Sequence, residues 1–179
     1  MTGSDLPGST GTGLPEAPAS PWLERLTGFV AIIGGLLALA VAILVTVSVL
    51  GRWLFNAPID GDFEFVKMAT AVAVFAYLPY TQARRGNIMV DTFTTRLSRA
   101  NRNRLDAFWD IVYGCMMSYL AYALVVGTLD AIRSGETTMQ RQILLWPSIG
   151  LSMLLCALVA ATAFIGGWQL LRAPGRNQT

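Results

Sequence analysis

The chain has 179 residues, of which 54% are hydrophobic and only 13% charged, with a formal net charge of +2 and a mean hydropathy of +0.51. That balance excludes an ordinary soluble domain of this size and makes a lipid bilayer the solvent to test first. Histidine is absent, which removes histidine-ligated haem or zinc and the Ser-His-Asp triad together.

Residues 1–21, rich in Gly, Ser, Thr and Pro, carry no basic start and no apolar stretch. They are expected to be a disordered cytoplasmic tail rather than a secretory signal. The membrane domain is expected over 22–172. Its first span, about 26–51, follows Glu24 and Arg25 and reads as an uncleaved anchor. Roughly 20 apolar residues in a helix cross a bilayer core, so its length suffices.

The second span, about 63–81, is less apolar, because Glu64 and Lys67 lie in its first turns. Charges near a span end are tolerated where long side chains reach the interface. Three residues apart, these two can face each other on one side of the helix. Pro79 falls near the end of this span.

Between the second and third spans, residues 84–106 gather six of the thirteen basic side chains. Within them Val90, Phe93, Leu97 and Ala100 recur at helical spacing while Arg96, Arg99 and Asn103 line a polar side, so a short amphipathic helix in the membrane interface is expected. Gly86 suits a tight exit from the second span and Asp91 the N-cap of this helix. Nucleic-acid binding is disfavoured, because these cations have no aromatic stacking partners and adjoin lipid. Arg96, Arg99 and Arg102 are expected to meet anionic lipid.

The third span, about 108–129, has one acid, Asp110, in its first turn; the fourth, about 147–171, begins at Trp146-Pro147, where proline fits a first helical turn. All five tryptophans, Trp22, Trp53, Trp109, Trp146 and Trp168, fall near a span end, the headgroup level that amphipathic rings prefer. Cys115 and Cys156 lie inside spans and are expected to pack as small apolar residues. Residues 173–179 are expected to form a second short cytoplasmic tail.

Four spans place Arg25, Arg84, Arg85, Arg96, Arg99, Arg102, Arg104, Arg172 and Arg176 on one side, against Arg52, Lys67, Arg133 and Arg141 on the other. Positive loops stay cytoplasmic, so both termini are expected inside. The fold class expected is therefore all-α, an integral membrane protein of four transmembrane helices.

Chemistry is sparse. No glycine loop of the G-x-x-x-x-G-K-S/T type is present to hold a nucleotide phosphate, and two cysteines inside spans make no metal site, so neither enzyme activity nor a cofactor is expected. The ionisable groups Glu64, Lys67 and Asp110 sit near span ends, away from the midplane where self-sufficient transporters place theirs. What the spans offer is packing surface: Gly34, Ala38 and Ala42 in the first, and Ala69, Ala73 and Ala76 in the second, recur at spacings of three or four. Contact within the bundle and contact with another subunit both fit that pattern.

The stretch "GRWLFNAPIDGDFEFVKM" (51–68) followed by "LPYTQARRGNIMVDTF" (78–93) resembles the small membrane subunit of tripartite ATP-independent periplasmic (TRAP) transporters, the DctQ-like family. The likeness covers roughly residues 25–171. It rests on Arg52 with Phe55 and Asn56, on Glu64, and on the Arg85-Gly86-x-x-x-Val90-Asp91 run.

The resemblance implies an accessory subunit of the bacterial inner membrane, without a transport site of its own. A large polytopic membrane subunit would hold the sodium and substrate sites, and a periplasmic binding protein would deliver an organic acid. The small subunit would pack against the static part of the large one. The outer connections then supply the candidate binding-protein contacts, Arg52, Asp60, Asp62, Glu64, Arg133, Glu136 and Arg141. Arg52 is placed to pair with Asp60, Asp62 or Glu64. On the inner face Arg85, Asp91, Arg96, Arg99 and Arg102 are the candidate interface and lipid contacts. The alternative is a stand-alone four-helix membrane protein, an oligomeric small transporter or a membrane organiser.

Overall fold

The computed structural model describes residues 21–56, 59–84 and 99–172, with backbone alone for Arg99, Ala100, Arg102 and Asn103. The expected interfacial helix, with Gly86 and with Arg85, Asp91 and Arg96 among the named contacts, lies mostly outside the described residues, as do both tails.

Four helices form: α1, Pro21–Phe55; α2, Asp62–Ala83; α3, Arg99–Ser134; α4, Trp146–Arg172. Each is long and apolar enough to cross a membrane. Pro21 starts α1, where a missing N–H costs nothing. That helix ends at Asn56, whose left-handed φ of 52° suits a residue with a short polar side chain. Gly61 caps α2 at φ 80°, and Gly135 follows α3 at φ 63°.

The helices exceed their expected spans in one notable place. α3 begins at Arg99, well ahead of the apolar stretch, so Arg99 and Ala100, assigned from the pattern to an interfacial helix, belong to the first turn of α3. Hydropathy marks where lipid begins, but helix propensity carries the coil beyond it, and the segment "RANRNRLDA" contains no glycine or proline to stop it.

α1 packs antiparallel on α2 in a register set by small residues. A Cβ on Gly34 would stand only 2.7 Å from the Ala76 Cβ and 3.4 Å from the Ala73 carbonyl. Gly34, Ala73 and Ala76 thus form a close internal helix contact, where dispersion between near backbones replaces large side chains. Ala38 and Ala69 are half-buried and Ala42 is exposed.

α2 packs next on α4 through Val72, Ala76 and Leu155. α4 in turn packs on α3, where Gly114 faces the Phe164 ring, Gly167 lies against Ala107 and Asp110, and Cys156 donates to the Met117 carbonyl at 3.3 Å. The neighbour order is α1, α2, α4, α3, and the four helices do not close into a ring. Buried side chains therefore concentrate on α4, while α1 leaves most of its large apolar residues uncovered. Cys156 packs in the core, but Cys115 is exposed on the outer side of α3.

Candidate functional site

Polar contacts between the helices gather at two levels. At one end lie Asp62 and Glu64 of α2; at the other, Gln82 and Arg84. From Asp62 to Arg84 is a rise of about 33 Å at 1.5 Å per residue, close to the thickness of a bilayer's hydrocarbon core.

At the first end the loop between α3 and α4 folds back on itself. Thr137 bridges Leu144, the Thr138 amide donates to the Ile143 carbonyl at 2.9 Å and the Leu145 amide to the Glu136 carbonyl at 3.2 Å. The turn of this hairpin presents donors that have no partners within it, and a carboxylate enters to receive them. Glu64 accepts from the Thr138 hydroxyl at 2.7 Å, from the Gln140 amide at 2.6 Å and from the Arg141 amide at 3.0 Å. The Thr138 hydroxyl also accepts from the Ile143 amide at 3.0 Å.

Glu64 is only 8% exposed, and its position in the first turn of α2 sets the negative charge against the positive end of the helix dipole. It does not turn to Lys67: among the described residues Lys67 makes no ion pair and is exposed on the helix surface. Two amides and a hydroxyl converging on one carboxylate outweigh a single mobile ammonium that reaches water.

Residues of the α1–α2 turn and of α1 complete this end. Arg141 lays its guanidinium over the α1–α2 turn, donating from Nε to the Asp60 carbonyl at 3.1 Å and lying 3.9 Å from the Asp60 carboxylate. Gly61 makes room for it, since a Cβ there would sit 2.5 Å from the Arg141 Cγ. Asp62 accepts the hydroxyl of Ser48, a buried residue of α1, and the Phe63 amide at 2.7 Å; Arg52 stands 4.0 Å away. Of the three acids open to Arg52, Asp62 is the one it approaches. Arg133 and Glu136 are exposed, and the Glu136 backbone closes the base of the hairpin.

The named charged residues of this end therefore divide. Glu64 and Asp62 bind inside the protein and fix α1, α2 and the hairpin to one another. Arg52, Asp60, Arg133, Glu136 and Arg141 present charge outward from that fixed frame.

At the opposite end Gln82 of α2 donates to Asp110 of α3 at 3.0 Å, and Asp106 is buried nearby in sequence on α3. Arg84 pairs with Glu24 of α1 at 2.8 Å while stacking 5.4 Å from the Tyr80 ring centroid. Arg172 lies over the Trp168 ring at 4.7 Å, a cation and an aromatic both suited to a headgroup region. Among the described residues no group of three or more Cys, Asp or Glu is placed to hold a metal ion.

The residues that sequence reasoning missed are mostly partners of residues it found. Ser48 is one of two hydroxyls, with Thr46, in an apolar run, Gln82 an amide near a span end, and Thr138 an ordinary loop residue; of these, only Ser48 and Gln82 carry a signal in their surroundings.

A family model, tripartite ATP-independent periplasmic transporters, DctQ component, matches residues 41–172. No curated protein matches the chain, and no solved structure does. The matched region includes the last part of α1, the whole of the Glu64 level and all of α2, α3 and α4, and leaves out Glu24 of the opposite level.

Proposed function

Because the chain belongs to the DctQ family, the small membrane subunit of tripartite ATP-independent periplasmic transporters, we propose that it is the accessory scaffold of a sodium-driven carrier for organic acids in a bacterial inner membrane. The observation that carries this reading is the open helix order α1, α2, α4, α3. Helices that do not close on one another enclose no path of their own, but they make a broad membrane wall for a transport subunit to lean on.

Both termini are cytoplasmic in this reading, since the connection after α2 holds the greatest concentration of arginine. The Glu64 hairpin then faces the periplasm. It gives the carrier a rigid outer surface on which Arg52, Asp60, Arg133, Glu136 and Arg141 meet the substrate-binding protein, with Asp62 and Glu64 holding that surface from beneath. At the inner face Arg85, Asp91, Arg96, Arg99 and Arg102 contact the large subunit or anionic lipid, each cation near such a surface contributing about 1 kcal/mol.

The test is to tag the C-terminus, extract native membranes in mild detergent, and identify what co-purifies in stoichiometric amount. One large polytopic partner is the expected result. Recovery of the chain alone, as a homo-oligomer across several mild detergents, would overturn the proposal in favour of a stand-alone membrane protein.

A further inference from the structure

The two terminal helices of the neighbour order differ in what they turn outward. Between Phe29 and Ile43, α1 bears no polar side chain at all, and its large residues there, including Ile32, Ile33, Leu36 and Leu39, are exposed. Acyl chains satisfy such a surface completely.

α3 turns away from α4 a stripe spaced alternately by four and three residues: Phe108, Val112, Cys115, Tyr119, Tyr122 and Val126, all exposed. The residues facing α4 are small or half-buried, among them Gly114, Ala121 and Thr128. Spacing of this kind is the seam that one helix offers to another.

Two members of the stripe do not suit lipid. Tyr119 is 74% exposed and Tyr122 66%, and neither hydroxyl has a hydrogen-bond partner among the described residues. Tyr122 lies twelve residues from Asp110 at the inner polar level and twelve from Ser134 at the outer end of α3, about 18 Å from each. That is the middle of the hydrocarbon layer, not the interface where tyrosine hydroxyls find water. Side chains on α3 lean toward its N-terminus, which moves both hydroxyls toward the inner level but leaves them inside the core. An unpaired hydroxyl there is costly, and acyl chains offer no acceptor.

Lys67 on α2 is a charged group exposed within a span, but it needs no protein partner. It lies five residues from the start of α2, and its stem leans toward that end, so the ammonium reaches the headgroups.

We propose that the outer face of α3, from Phe108 to Val126, is the surface on which a helix of the large membrane subunit docks, with the Tyr119 and Tyr122 hydroxyls donating to acceptors on that helix. This rests on the scaffold reading above and selects, from the faces left uncovered, the one that meets protein rather than lipid. α1 forms the lipid-facing edge of the complex.

The test places the photo-cross-linking residue p-benzoylphenylalanine at Tyr119 or Tyr122, and for comparison at Ile33 or Leu36, in the tagged chain co-expressed with the rest of its complex. Irradiation of native membranes is expected to join positions 119 and 122 to the large subunit and positions 33 and 36 to lipid alone. Adducts to lipid alone at 119 and 122, or a product of twice this chain's mass, would overturn the inference. Co-purification without irradiation separates the two readings. If the large subunit is retained but does not cross-link at 119 or 122, the docking face is wrong and the scaffold reading stands; if it is not retained, both fall.

A second variant, Tyr119→Phe with Tyr122→Phe, keeps both rings and removes both hydroxyls. At roughly threefold for each interhelical hydrogen bond, it is expected to lower retention of the large subunit about tenfold without changing the thermal stability of this chain alone. Unchanged retention would overturn the assigned hydrogen bonds.

Discussion

Glu64 and Thr138, 74 residues apart in sequence, are joined by a 2.7 Å hydrogen bond. The carboxylate that receives the hydroxyl receives two backbone amides of the same hairpin as well. One side chain in the first turn of α2 therefore organises the connection between α3 and α4, so this end of the protein is a single unit rather than two separate loops.

Removing that charge frees the hairpin. Glu64→Gln keeps the size but replaces one acceptor oxygen with a donor that opposes the amides it should receive. Hydrogen–deuterium exchange in detergent is expected to quicken at Gln140 and Arg141 by at least about tenfold, because buried donors that lose a charged acceptor pay for their desolvation. Lys67→Gln, altering an exposed group that makes no ion pair among the described residues, is expected to leave those rates unchanged. Equal exchange in both variants would mean the hairpin holds itself.

The contact between α1 and α2 is close enough for one methyl group to matter. Gly34→Ala brings a Cβ to 2.7 Å from that of Ala76, well inside van der Waals contact, so the helices must part. A loss of about 1–3 kcal/mol is expected, read as a lower unfolding temperature in detergent. Ala76→Gly in the same chain removes the opposing methyl and is expected to recover most of the loss. No recovery would place the strain elsewhere.

Two glycines share a left-handed backbone but not a neighbourhood. Gly135 has open space around it, whereas Gly61 abuts Arg141. Gly135→Ala is therefore expected to cost only the conformational strain, about 1–2 kcal/mol. Gly61→Ala is expected to cost more and to loosen Arg141 from Asp60. Equal losses in a melting comparison would show that the arginine simply swings aside.

At the opposite end, Asp110→Asn retains an oxygen for the Gln82 amide, which stands 3.0 Å away, while Asp110→Ala retains nothing. Polar contacts between membrane helices average about 0.6 kcal/mol and reach about 1.7 kcal/mol. The alanine variant is expected to lose roughly that much and to accumulate less in membranes than the asparagine variant. Matching levels would show that this contact contributes little to assembly.

How much of this was legible in the sequence depends on the range of the forces involved. The spans were legible because burial in lipid is a property of a local stretch; residues 26–51 announce themselves by composition alone. Small residues at helical spacing pointed to close packing, and Gly34, Ala73 and Ala76 make such a contact inside the chain, although spacing alone left open what they would touch.

The Glu64 clamp was not legible. Its carboxylate binds mostly backbone amides, which every residue but proline supplies, so the 136–145 loop carries no distinctive letter to mark it as the partner. The nearest cation in sequence, Lys67, suggested a pair that the fold does not make. The start of α3 was missed for a related reason: hydropathy reports the edge of the lipid, while the helix continues into water as long as its residues favour the coil.

The most direct measurement of the central claim is uptake in proteoliposomes under an inward sodium gradient, using the ligand that the purified binding protein carries. This chain and the large subunit are reconstituted together and each alone. The scaffold account predicts sodium-dependent uptake when both are present and none from this chain alone. Sodium-dependent uptake by this chain alone would contradict it.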